Sequence, residues 1–246
     1  MTDLSVQKAR RRGYQTRHRV RFVTAASLFD GHDASINIVR RILQASGAEV
    51  VHLGHNRSVE EIVTAALDED AQGLAVSSYQ GGHVEFFKYM IDLLRERGGA
   101  HIKVFGGGGG VIVPVEIAEL QACGVTRIYT PEDGAQMGLQ GMIDEMLAAC
   151  DFDPAELAPV DLDQVARGNR RALASLITAL DNATLDKTIR QQLAERARGV
   201  TGVPVLGITG TGGSGKSSLS DELVRRFRLD QLERLKIALV AVDPSR

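Results

Sequence analysis

Between residues 18 and 150 the chain alternates strictly between short apolar runs and amphipathic helical stretches, and few folds tolerate that rhythm. The runs are Val20–Ala25, Glu49–Leu53, Gly73–Ser77, Ile102–Phe105 and Val125–Tyr129. Helical patterns lie between and after them, over Ile36–Ala45, from Ser58 onward, and over Val84–Arg97, Val115–Ala122 and Ala135–Ala149. Ile38, Val39, Ile42 and Leu43 recur at helical spacing in the first, and Phe87, Met90, Ile91 and Leu94 share one face of the third. Ser58 with Glu61 three residues later reads as a capping box. Five strands separated by helices argue for βαβ units and a parallel sheet, and near-continuous apolar strands argue that both its faces are covered. The expected fold class is therefore α/β, a flavodoxin-like doubly wound parallel sheet over 18–150, with strand order left open.

Residues 151–200 change character. Pro154 and Pro159 break the chain, and a polar stretch follows with apolar positions at Leu173, Leu176, Ile177 and Leu180, then Leu185, Ile189 and Leu193. This reads as a helical linker whose face is partly buried. A second α/β pattern occupies 201–246: a strand over Val205–Thr209, a helix over Lys216–Phe227 and a strand over Lys236–Val242. A single β-α-β is too small to bury a core of its own, so the expectation is the opening of a P-loop NTPase domain.

Composition narrows the partners. A chain of 246 residues with 43% hydrophobic and 24% charged content suits one large or two small soluble domains. A net charge of -2, 4% aromatics and no Trp give no reason to expect nucleic acid or an anionic membrane. No apolar run approaches the ~20 residues of a membrane span. The basic start (Lys8, Arg10, Arg11, Arg12) has no apolar segment behind it and is not a secretory signal. Cys123 and Cys150 fit no metal or redox spacing and read as buried thiols. A cytoplasmic location follows as the expectation.

Three loops at the carboxyl ends of the first domain's strands carry the chemistry, because open α/β sheets bind ligands there. The first holds Asp30, Gly31, His32 and Ser35. A histidine two residues after a carboxylate is built like a metal ligand with its orienting partner, although a lone loop histidine is also an ordinary surface residue. The second runs from Ser77 and Ser78 through Tyr79 to His83, and the third is Gly106–Gly110. Five glycines remove side chains, so a flat or extended ligand can lie against backbone there. Gly210-Thr211-Gly212-Gly213-Ser214-Gly215-Lys216-Ser217 satisfies the full phosphate-loop pattern between a strand and a helix. Gly210, Gly213, Ser214 and Gly215 direct amides at phosphates, Lys216 reaches the β/γ-phosphates, Ser217 ligates Mg²⁺, and Ser218 lies in the same helix turn. Asp243, after an apolar strand, is a further magnesium candidate, and it is also a common structural strand-end residue.

The first-domain loops resemble the cobalamin-binding domain of the acyl-CoA mutases and methionine synthases, whose signature is DxHxxG, then SxL, then GG. Asp30-Gly31-His32-Asp33-Ala34-Ser35 matches with serine for the last glycine, Ser77-Ser78-Tyr79 matches with Tyr79 for leucine, and Gly109-Gly110 supplies the pair. Ile128-Tyr129-Thr130-Pro131 is similar to the mutase domain near its last strand. The resemblance covers roughly 18–150. It implies that His32 ligates cobalt from below, that Asp30 orients it, and that the cofactor's nucleotide tail threads down between sheet and helices, past Ser77 and the glycines. Residues 200–246, through Thr209–Ser218 and Val242-Asp243-Pro244-Ser245, resemble the G-protein chaperones of such mutases. The module order is similar to that of the fused isobutyryl-CoA mutases.

That resemblance implies adenosylcobalamin, Mg²⁺ and bound GTP, an acyl-CoA substrate held in a barrel domain not contained in these residues, and a homodimeric full-length enzyme. It implies a radical carbon-skeleton rearrangement between isobutyryl-CoA and butyryl-CoA, with GTP hydrolysis gating cofactor loading or release. No residue here is expected to act on the acyl-CoA itself. Two other readings stay open: a methylcobalamin carrier for methyl transfer, and a P-loop hydrolase or kinase with a flavodoxin-like regulatory domain.

Overall fold

A computed structural model describes residues 13–157 and 159–241. The basic start and Asp243 lie outside the described residues. The chain divides into two compact units, 1–194 and 195–246.

The first unit is built on five parallel strands: β1 (Arg21–Ala26), β2 (Glu49–His52), β3 (Gly73–Ser77), β4 (Lys103–Gly107) and β5 (Arg127–Tyr129). Their order is β2-β1-β3-β4-β5. Val76 pairs with Ala25 on one side and Gly106 on the other, so the middle of the sheet is continuous. The helices between and after them are α1 (Ala34–Ala45), α2 (Val59–Asp68), α3 (His83–Glu96), α4 (Pro114–Cys123) and α5 (Pro131–Cys150).

Side chains alternate across the strands and divide the core in two. Val23, Leu74, Val76, Val104 and Ile128 pack with α2, α3 and α4, through Ile62, Phe87, Met90 and Leu120. Phe22, Ala26, Ala75, Phe105 and Tyr129 pack with α1 and α5, through Leu43, Ile143 and Leu147. The Ser58–Glu61 capping box starts α2 with both reciprocal hydrogen bonds in place. α5 begins at Pro131 rather than Ala135, because Thr130 and Asp133 form a capping box and Pro131 is pre-set for the first helical position. Gly138, at φ +67°, interrupts that helix.

Four further helices follow the sheet: α6 (Pro154–Leu157), α7 (Leu162–Ala166), α8 (Arg170–Asp181) and α9 (Lys187–Gly199). Leu162, Leu176, Ala179 and Leu185 form a small core with Ile189 and Leu193 packed on it. The expected α8 stripe is corrected here. Leu173, Ile177 and Leu180 are exposed, and Ala174, Leu176, Thr178 and Ala179 are the buried face. Polar anchors set that rotation: Arg170 pairs with Asp68 at 2.6 Å, and the Ser175 hydroxyl donates to Asp70 at 3.1 Å. Cys150 is buried, but Cys123 is only half-buried.

In the second unit, α10 (Lys216–Asp230) matches the expected helix. The strands expected over Val205–Thr209 and Lys236–Val242 are absent among the described residues. Val205 is 92% exposed and Val240 86%. A strand needs a ladder partner and a surface to cover, and α10 buries no residue that would supply one.

Candidate functional site

The strand order places the topological switch between β1 and β3, the crevice where doubly wound sheets take ligands. The β1–α1 loop carries Asp30 and His32 to one side of it, and β3 ends at Ser77 on the other. Asp30 is fully buried. Its Oδ1 accepts from the His32 amide at 2.8 Å and from His32 Nδ1 at 2.9 Å, and its Oδ2 accepts from the Tyr79 amide at 2.6 Å. A carboxylate only accepts, so Nδ1 is the donor in this contact and Nε2 is the ring nitrogen left facing away from Asp30. The His32 side chain is 68% exposed, with its ring centroid 5.5 Å from that of Tyr79. The ring is thus exposed, with its direction set by a buried acid, an arrangement compatible with metal ligation.

Beneath this edge lies a cavity of about 330 Å³ between the sheet and helices α1 and α5. Its walls are mostly apolar, from Ile38, Val39 and Ile42 of α1 to Leu139, Met142 and Met146 of α5. Ser35, Ser77, Tyr79 and Gly109 line it as well, whereas Asp30, Gly31, His32 and Gly110 do not. The Ser35 and Ser77 hydroxyls are buried with no protein partner. Two orphaned hydroxyls in an apolar cavity suit a ligand that brings its own hydrogen-bonding groups.

Glycines shape the mouth. A Cβ on Gly108 would collide with the Ser78 carbonyl oxygen, and one on Gly109, at φ +59°, would come within 2.5 Å of Tyr79 Cε1. A Cβ on Gly107, also in the lining, would meet only ordinary contact at 3.5 Å. His83 ties the β3–α3 loop to α4, with Nδ1 3.1 Å from the Gln80 carbonyl and Nε2 2.9 Å from Glu116 Oε2. The Val113 amide and His83 together hold the Glu116 carboxyl below its usual range. Burial pushes the Tyr129 hydroxyl, which donates to the Met142 carbonyl at 3.2 Å, well up.

A space between sheet and helices was expected, but the residues of α1 and α5 that wall it were not named as site residues from sequence. Ile38, half-exposed on α1, is one of them.

In the second unit Gly215, at φ +80°, caps α10, and Gly213 is also left-handed. Lys216 Nζ donates to the Thr211 carbonyl at 2.7 Å, folded back over its own loop. Gly210 turns so that a Cβ would lie 3.0 Å from Ser214 Oγ, and Ser217 and Ser218 stand exposed on the first turn of α10. Among the described residues no cluster of three or more His, Cys, Asp or Glu is arranged for a metal ion, and no helix is long and apolar enough to cross a membrane.

Residues 20–139 match the B12 binding domain family, and residues 173–246 match the methylmalonyl-CoA mutase-associated GTPase MeaB. The second match begins inside α8. The chain is 69% identical over 229 residues to the fused isobutyryl-CoA mutase of Cupriavidus metallidurans, covering 93% of this chain and 21% of that protein. It is 59% identical over 243 residues to that of Geobacillus kaustophilus, covering 95% of this chain and 22% of the relative. It is also 33% identical over 117 residues to the 2-hydroxyisobutanoyl-CoA mutase small subunit of Aquincola tertiaricarbonis, covering 48% of this chain and 85% of the relative. The chain thus spans about a fifth of the length of the fused relatives. With a B12-binding domain and a MeaB-type GTPase segment in one polypeptide, it belongs to the fused isobutyryl-CoA mutase family.

Proposed function

We propose that this chain is the cofactor-holding and nucleotide-responsive part of an adenosylcobalamin-dependent mutase that interconverts isobutyryl-CoA and butyryl-CoA. The observation that carries the reading is one juxtaposition. An outward imidazole held by a buried carboxylate stands at the edge of an apolar cavity containing two unpartnered hydroxyls. When bound, adenosylcobalamin supplies homolysis of its cobalt–carbon bond.

The chain's own residues bind and orient. His32 Nε2 would ligate the cobalt, Asp30 holds the ring's direction, and Gly31 gives the loop room between them. Ser35 and Ser77 would hydrogen-bond the cofactor's nucleotide tail, Tyr79 packs against the His32 ring, and Gly109 and Gly110 would let the tail pass close to backbone. The apolar wall of α1 and α5 excludes water from the tail. Residues 18–150 form this cofactor domain and 151–200 the helical linker. Residues 201–246 contribute nucleotide binding, with Gly210, Gly213, Ser214, Gly215, Lys216 and Ser218 on the GTP phosphates and Ser217 with Asp243 on Mg²⁺. The acyl-CoA is held by a barrel domain that these residues do not contain, the full-length enzyme is a homodimer, and the location is cytoplasmic.

The test is spectroscopic. Purified chain mixed with cobalamin is expected to show the base-off, histidine-ligated absorbance spectrum, and His32→Ala is expected to lose it. A spectrum unchanged in His32→Ala overturns the ligand assignment.

A further inference from the structure

Phe29 carries a backbone cost beside the cobalt-ligand candidate. Its φ is +64°, in the left-handed region that bulky L residues avoid. The loop enforces that conformation from several directions. The Phe29 amide donates to Asn56 Oδ1 at 2.8 Å, and Asn56 is itself left-handed at φ +56°. Ser27 and Arg57 form a parallel bridge alongside, and the Asp30 amide donates to the Ser27 carbonyl at 3.0 Å.

No packing offsets the strain, because the Phe29 side chain is among the exposed large hydrophobics, at 79%. Glycine or asparagine would satisfy this turn at lower cost and without a wet aromatic ring. Strain held in place beside a binding site is characteristic of residues kept for a ligand. Leu28, its neighbour, is also exposed, so the tip of the loop is apolar immediately before the carboxylate that holds His32.

We propose that Phe29 is a corrinoid-binding residue. Its ring would give an apolar contact to the carbon framework and methyl groups of a corrin macrocycle held by His32 on the same loop. The proposal rests on the reading of His32 as that ligand. The strained turn leaves the ring exposed on the loop that carries His32 instead of folded onto the protein.

The experiment compares full-chain wild type, Phe29→Asn and Phe29→Gly, using apo melting temperature and absorbance titration with adenosylcobalamin. Asparagine and glycine both accept a left-handed backbone, so each variant removes the ring and leaves the turn possible. The expected result is an apo Tm equal to wild type or a few degrees higher, together with a cobalamin Kd raised about tenfold. The histidine-ligated spectrum persists at saturation, because His32 is intact. A Kd within about twofold of wild type overturns the proposal and assigns the ring to a protein surface. A lowered apo Tm in both variants also overturns it, because Phe29 would then be a structural residue. Failure of wild type to bind cobalamin overturns the His32 reading and this proposal together, and is distinguished by the wild-type titration alone.

Discussion

Asp30 holds two groups at once, the His32 ring through Oδ1 and the Tyr79 amide through Oδ2, so its replacement acts on both ligand and fold. Asp30→Asn keeps the shape, but one side of an amide donates where the carboxylate accepted. Cobalamin affinity is expected to fall about 10- to 100-fold, the usual cost of losing a ligand's orienting partner, as measured by absorbance titration. Ser77 behaves oppositely in the two states. Its buried hydroxyl has no partner in the free protein, so Ser77→Ala is expected to leave apo stability unchanged or raise it by about 1 kcal/mol. The same change is expected to weaken cobalamin binding, because it removes the hydroxyl proposed to bond the tail. A loss of apo stability on denaturant titration would show that Ser77 does have a partner in solution. At this scale the sequence was informative: the Asp30–His32 contact spans two residues, and short-range geometry is set by the local chain. The strain at Phe29 was not legible, because Asn56, which enforces it, lies 27 residues away.

Among the elements, the glycine-rich end of β4 offers a graded test. Gly108→Ala drives a Cβ into the Ser78 carbonyl and is expected to destabilise the fold by about 1–3 kcal/mol. Gly107→Ala has room, so it is expected to melt like wild type while binding cobalamin more weakly. Chemical denaturation and titration of the pair check both. At the far end of α5, Asp151 is buried and accepts from the Arg17 and His18 amides, the Tyr14 hydroxyl and His18 Nδ1. Burial alone would raise its pKa, but these hydrogen bonds outweigh it and hold the carboxyl well below the usual range. The folded state therefore gains stability from Asp151 at any pH above the unfolded value of about 3.9, and loses it as pH falls below that. Asp151→Asn is expected to cost about 2 kcal/mol at pH 7, with the difference from wild type shrinking as unfolding is measured from pH 4 downward. α8 shows where periodicity misleads. Its Leu173, Ile177 and Leu180 have helical spacing, yet the Arg170–Asp68 and Ser175–Asp70 contacts turn a different face inward.

For the whole molecule, the two units differ in what they bury. The sheet of the first has two apolar cores, whereas Val205, Leu206, Leu239 and Val240 of the second stand in solvent. Hydrogen exchange is expected to be slow at β1, β3 and β4 and fast over 203–209 and 236–241. Slow exchange in those two segments would mean that they are paired in solution. The alternation of elements over 18–150, the Ser58–Glu61 cap and the Asp30–His32 pair were decided by sequence alone, because each depends on residues close together in the chain. The β2-β1-β3-β4-β5 order, which draws residues near 30, 77, 107 and 130 around one cavity, was decided only by tertiary structure. So was the absence of strands among the described residues of the second unit. Strand pairing and side-chain burial are non-local: an apolar run becomes a strand only where another backbone edge and another apolar surface lie beside it.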